Sequence, residues 1–149
     1  MSEVRRTIRA EPDAVWDVLA DPTTYPDWLV GAQVIREVDD EFPKPGSDFH
    51  HAVGPTENVA LPDSTTALEA ERPRKLSLKV RARPFFEGVV TFRLHPTDSG
   101  TELVVAEEPV GRLRLFAPLL RPLIVARNAK SLEQLRDLVE GRSATSATG

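Results

Sequence analysis

Apolar residues recur along this chain with two periods, and the change between them divides it into elements. Near the start, Val4, Arg6 and Ile8 alternate with Arg5, Thr7 and Arg9, a weak strand pattern. Spacings of three and four follow: Val15 and Leu19, and Trp16 and Leu19, share one face of a short helix. Pro12 suits its first turn, and Asp13 lies favourably near its N-terminus. Pro22 ends it, because the residue before a proline is pushed out of the helical region. With Pro26 following, Thr23 to Trp28 reads as one further short helical turn.

From there the period is two. Gln33 to Glu41 and Ser47 to Val53 are predicted strands, the second with Phe49, His51 and Val53 on one face and His50 on the other. Ser64 to Glu71 is next. Leu76, Leu78 and Val80 then point inward against Lys75, Ser77, Lys79 and Arg81. Val90, Phe92 and Leu94 repeat the pattern, Pro96 to Gly100 is a turn, and Thr101 to Glu108 is the last strand. Short connections favour antiparallel pairing. A long helix closes the chain, with Ile124, Leu132, Leu135, Leu138 and Val139 on one side and Lys130, Glu133, Gln134, Asp137 and Glu140 on the other. Gly141 sits at a usual helix stop. The predicted class is α+β: an antiparallel sheet of about six to seven strands, two small helices after the first strand, and a long C-terminal helix.

Composition narrows the function classes. The 149 residues suit one domain, taken as residues 1–140, with 141–149 (GRSATSATG) expected to be a flexible polar tail. A net charge of −4 argues against nucleic acid as a partner. The cluster Arg72, Arg74, Lys75, Lys79, Arg81 and Arg83 reads as a solvated outer strand face. Without cysteine there is no disulfide, thiolate metal site or cysteine nucleophile. No apolar run approaches the roughly 20 residues of a membrane span, and MSEVRRTI lacks a signal core. The expectation is a cytoplasmic protein, monomer or homodimer, with no cofactor and no metal.

Four stretches together point to a family: AVWDVLADPTTYPDW, ERPRKLSLKV, GTELVVAEEP and RNAKSLEQLRDLVE. Over about residues 3–140 the chain resembles the START-like (SRPBCC) superfamily, and within it the polyketide cyclase/dehydrase-like proteins. The resemblance implies a helix-grip fold, in which a curved antiparallel sheet wraps the C-terminal helix and two small helices close one end of a deep pocket. It implies no single function, since the superfamily holds carriers, receptors, cyclases, oxygenase subunits and chaperone activators. The metal-ligand sets of its oxygenase members are absent.

Within that pattern a few residues stand out. Asn128 falls at the centre of the apolar face of the final helix, with Ser131 nearby. Either backbone or water satisfies them, or they face a cavity and meet a ligand. Arg127, at the edge of that face, either anchors a carboxylate, pairs with a glutamate, or is a solvated or salt-bridged surface arginine. His51 shares its strand face with Phe49 and is either a general base or a bonded core histidine. Glu107 follows Leu103 and Val105 in parity; pointing inward, its carboxyl would be raised and able to act as an acid. His51 and Glu107 are therefore the candidate catalytic pair. Tyr25, Trp28, Phe85, Phe86 and Phe116, near loops or element ends, suit the rim of a cavity for an apolar ligand, with Phe49 and Phe92 on its walls.

Three function classes follow. The first is binding of a small hydrophobic, polyketide-like or lipid-like molecule between sheet and helix. The second is a cofactor-independent cyclase, aromatase or dehydratase using His51 and Glu107, with Asn128 orienting an oxygen. The third is a protein-interaction module with a filled core. A cavity large enough for a drug-sized ligand, roughly 300 Å³ or more, favours the first two, and a collapsed interior would exclude both.

Overall fold

The computed structural model describes residues 2–53, 61–82 and 86–148. Seven strands form one sheet: β1 (Ser2–Ile8), β2 (Ala32–Val38), β3 (Asp48–Val53), β4 (Leu61–Glu71), β5 (Lys75–Ala82), β6 (Phe86–Thr97) and β7 (Gly100–Pro109). Their order is β1-β7-β6-β5-β4-β3-β2, and every neighbouring pair is antiparallel. Strands β2 to β7 follow one another as a meander. β1 joins beside β7, so the segment from β1 to β2 crosses the full width of the sheet. Helix α1 (Pro12–Leu19), a 3₁₀ turn (Pro22–Thr24) and helix α2 (Tyr25–Trp28) make that crossing.

α1, α2 and the inner face of the long C-terminal helix form where the pattern places them. α1 has Pro12 at its start and buries Val15, Trp16, Val18 and Leu19. Asp21 caps the 3₁₀ turn, its side chain accepting from the Thr23 N–H at 3.1 Å. A 3₁₀ helix over Gly111–Phe116 leads into α3 (Ala117–Thr148). α3 packs against β1, β7, α1 and α2. Its buried positions are Ile124, Asn128, Ser131, Leu132, Leu135 and Val139, the three-and-four spacing expected, while Lys130, Glu133, Gln134 and Asp137 are exposed. Each large apolar side chain fully buried on that face stabilises by about 1.5–3 kcal/mol.

Several boundaries differ from expectation. Strands β4 and β6 begin earlier than predicted, at Leu61 and Phe86: Pro62 and Gly88, residue types that weaken a strand pattern, pair in register with Ala52 and Val80. The helical backbone also continues through Gly141 to Thr148 rather than stopping there. A glycine inside a helix costs only about 1 kcal/mol, and a long helix already propagating extends at little further cost.

β7 is buried on both faces, from Leu103 to Glu107. Leu103, Val105 and Glu107 take the predicted parity, Val105 and Glu107 facing the interior. Val104, on the other face, stands in register between Arg5 and Arg93, whose long side chains can shade a smaller neighbour. Outside, Arg72 pairs with Asp13 and Asp17 of α1 at 3.4 and 3.2 Å, and Lys75 pairs with Glu69 at 2.6 Å.

Candidate functional site

Between the concave side of the sheet and α3 lies a cavity. β3, β5, β6 and β7 supply one wall through Phe49, Val80, Phe92 and Val105. α2 and the residues after it supply an end through Tyr25, Trp28 and Leu29. α3 supplies the other wall through Arg127, Asn128, Ser131 and Leu132. The lining is mostly apolar. Its volume is about 90 Å³. That is below the roughly 300 Å³ expected of a drug-sized site and leaves room for several waters or a fragment-sized group.

Edge-to-face contacts build the aromatic end. The Tyr25 and Trp28 rings lie 5.1 Å apart, Tyr25 and Phe49 5.6 Å, and Trp28 and Phe92 6.3 Å. Tyr25 and Trp28 are almost fully buried, so they form an end wall rather than an exposed lip. Their polar tips are already engaged: the Tyr25 hydroxyl donates to the Leu19 carbonyl, and Trp28 Nε1 donates to Thr24 Oγ1 at 3.1 Å. Burial, helped by Asp21, pushes the Tyr25 phenol far above its ordinary value, so it stays neutral. These two side chains offer a ligand ring faces, not hydrogen bonds.

The polar atoms cluster at the α3 side. Arg127 Nη2 donates to both oxygens of Glu107 and sits 3.4 Å from Asn128 Oδ1. The Glu107 side chain is 1% exposed and that of Arg127 is 35% exposed, so the pair runs from the interior towards solvent. Burial raises the Glu107 carboxyl above the usual carboxylate range, opposed by the charge and hydrogen bonds of Arg127 and by the Asn128 amide. Asn128 Nδ2 lies near enough to favour that carboxylate, yet meets no acceptor at hydrogen-bond geometry among the described residues. Ser131 Oγ accepts from the Val30 N–H at 3.0 Å, which ties α3 to the segment after α2.

His51 stands at the far side. It is 3% exposed, packs beside Phe49 at 5.7 Å, and borders both the cavity and an outer groove with Arg36, Asp63 and Ser64. Neither imidazole nitrogen has a partner of hydrogen-bond geometry among the described residues. Burial lowers its pKa; the nearby Ser64 backbone and Asp63 oppose the shift, while His50 and Arg81 add to it. The ring is therefore neutral near pH 7.

The structure thus gathers Tyr25, Trp28, Phe49, His51, Phe92, Glu107, Arg127, Asn128 and Ser131 around one cavity. It does not join His51 to Glu107. The two sit four strand steps apart, on β3 and β7, roughly 19 Å along the sheet surface. Glu107 takes its hydrogen bonds from Arg127 instead. A directly bonded acid–base pair is therefore not formed, because the sheet spreads the two residues apart and α3 supplies a closer cation. Phe116 is also corrected: it is 52% exposed on the 3₁₀ helix before α3 and lines no part of the cavity. Phe86 starts β6 with its side chain outside the described residues, and Phe85 lies wholly outside them. Among residues not singled out from sequence, Thr65 is buried on the cavity wall, between Phe49 and Val80 in register. Its parity with Ala67 on β4 was the available signal, and a small polar residue in a weakly alternating strand carries little of it. No cluster of three His, Asp or Glu able to hold a metal occurs among the described residues.

Comparison with solved structures places this geometry among similar folds. A protein from Nitrosomonas europaea aligns with a TM-score of 0.75 at 20% identity, over 94% of each chain. One from Chromobacterium violaceum aligns at 0.72 and 19% identity, over 93% of this chain and 96% of that one. The di-domain ARO/CYC StfQ from the steffimycin biosynthetic pathway aligns at 0.74 and 13% identity, over 95% of this chain and 51% of its own. At these identities the likeness concerns the fold. A comparison with curated protein sequences found no match. The model of one family, polyketide cyclase/dehydrase and lipid transport, matches residues 2–140. Matched over residues 2–140, the chain belongs to the polyketide cyclase/dehydrase and lipid transport family.

Proposed function

We propose that the protein holds a small, largely apolar molecule bearing a hydrogen-bonding oxygen in the cavity between the sheet and α3. One observation carries this reading: within an apolar, aromatic-walled cavity, the buried side chains of Asn128 and His51 present polar atoms that meet no partner of good hydrogen-bond geometry among the described residues. Such an atom left unmet costs about 1–3 kcal/mol. A ligand oxygen accepting from Asn128 Nδ2, or a ligand group bonded to His51, recovers that cost. The aromatic end suits a flat ring or an acyl chain. The family description supports the same ligand class.

The cavity volume adds a condition. At about 90 Å³ it admits a fragment-sized group as it stands, so a polyketide-like or lipid-like ligand enters only as the walls part. Emission from Trp28, which lines the cavity, is the direct probe. Titration with fatty acids and with aromatic polyketide-like compounds is expected to give a saturable change for at least one class. Asn128→Leu is expected to weaken it about tenfold, the value of one buried hydrogen bond. No saturable change with any compound counts against the reading.

A second reading is a cyclase or dehydratase, favoured by the family and by the fold shared with the ARO/CYC protein StfQ. In it the neutral His51 takes a substrate proton while Asn128 and the Arg127–Glu107 pair face the substrate oxygen. His51→Gln should then abolish conversion of a linear poly-β-ketone surrogate while leaving Trp28 quenching intact. Unchanged conversion removes His51 from that role.

A further inference from the structure

The segment from Pro109 to Leu132 carries no acidic residue and five basic ones: Arg112, Arg114, Arg121, Arg127 and Lys130. In a chain of net charge −4 this leaves −9 on the remainder. The same segment holds four of the five large apolar side chains that stand exposed among the described residues: Leu115 at 78%, Phe116 at 52%, Leu119 at 76% and Leu123 at 70%. Single exposed leucines are ordinary, but four large apolar groups within nine residues form a patch that needs a partner. Arg114 and Arg121 are exposed within that stretch, and neither has an ion-pair partner among the described residues.

We infer that this face, the end of the 3₁₀ helix and the first turns of α3, docks on an anionic lipid bilayer. Charge decides among the occupants. Anionic headgroups attract a stretch that is basic and apolar at once: the basic run from Arg72 to Arg81 exposes no large apolar side chain among the described residues, and its Arg72 and Lys75 are ion-paired, so the molecule is oriented with Leu115, Phe116, Leu119 and Leu123 towards the lipid. A second copy facing the same patch would bring Arg114 and Arg121 against their own equivalents, which is unfavourable. The contact lies on the surface of the bilayer, since no helix among the described residues is long and apolar enough to cross one. The position on α3 adds a reason for the site to be there. Leu119, Leu123, Arg127 and Ser131 form one row of four-residue spacing, and the last two line the cavity. The docking face therefore adjoins the polar end of the cavity.

The test uses the full chain and sedimentation with vesicles of phosphatidylcholine plus phosphatidylglycerol, against vesicles of phosphatidylcholine alone. Binding to the anionic vesicles that declines with added salt is expected. Leu119→Glu with Leu123→Glu should weaken it about tenfold or more. These positions are exposed near the start of α3, where acidic residues are tolerated by the helix. Arg114→Gln with Arg121→Gln, which keeps the apolar face, should also weaken it about tenfold and carries the test if the leucine variant loses its fold. The inference is overturned if the protein ignores anionic vesicles, or if both variants bind as the parent does. It is equally overturned if equilibrium sedimentation shows a dimer that the leucine variant splits while vesicles remain unbound.

Discussion

Asn128 shows what one side chain can reveal when it breaks a pattern. It occupies an apolar position of α3, is 4% exposed, and leaves Nδ2 without a hydrogen-bond partner among the described residues. If it is kept for a ligand, Asn128→Leu should make the empty protein more stable by about 1 kcal/mol, read from urea unfolding, while weakening ligand binding. A variant that loses stability instead would mean that the amide is structural. Arg127 gives the opposite case. Arg127→Met leaves the Glu107 carboxylate buried without its cation, and should cost about 2–3 kcal/mol at neutral pH. That is below the roughly 3–5 kcal/mol of breaking a fully buried pair, because the Arg127 side chain is itself 35% exposed. The sign with pH follows from Glu107: its carboxyl is raised by burial, so the folded state prefers the proton and stability is lost as pH rises through the raised value. The Arg127→Met deficit should therefore shrink in mild acid, and Glu107→Gln added to it should restore most of the loss. His51 runs the other way. Its folded pKa is lowered below 6.5, so its contribution is complete above pH 6.5 and is lost between that value and the lower folded one. His51→Gln should flatten that part of a stability profile; an unchanged slope would mean that another group titrates. The inward positions of Asn128, His51 and Glu107 were legible from periodicity, and the placing of Asn128 at a pocket from the family resemblance. The Arg127–Glu107 pair was not, because it depends on how far the sheet curves towards α3, which no local spacing encodes.

At the scale of elements, regular periods read well and breakers read poorly. α1 and the inner face of α3 appear where the three-and-four spacing puts them, and β5 where strict alternation does. β4 and β6 begin at Leu61 and Phe86, before their clear alternation sets in, and α3 continues through Gly141, a usual helix stop. Glycine at the β6–β7 turn has a firmer role. Gly100 adopts φ +149, and a Cβ there would sit 2.2 Å from the Ile8 carbonyl oxygen and 2.9 Å from the Ala10 nitrogen. The turn thus closes directly on the end of β1. Gly100→Ala should cost about 2 kcal/mol or more, from backbone strain together with displaced backbone. Gly46, at φ +92 with nothing near its missing Cβ, should cost about 1 kcal/mol on the same change. Thermal unfolding of the two variants side by side checks the contrast. Equal losses would mean that the contact with β1 is not what constrains Gly100.

At the scale of the whole molecule, the family and the closed sheet-and-helix form were readable, since they rest on element order and on long matching stretches. The size of the interior was not. It depends on how the side chains of β3, β5, β6, α2 and α3 pack against one another, and the result is about 90 Å³ rather than a drug-sized space. That interior lies between a filled core and an open binding site, and the polar atoms unmet within it favour occupation. Native mass spectrometry of the protein purified from its own host tests this most directly. The account predicts a small-molecule adduct of defined mass, released on denaturation and diminished in Asn128→Leu. Bare protein in that spectrum, with no adduct after incubation with a panel of lipids and polyketides, would contradict it.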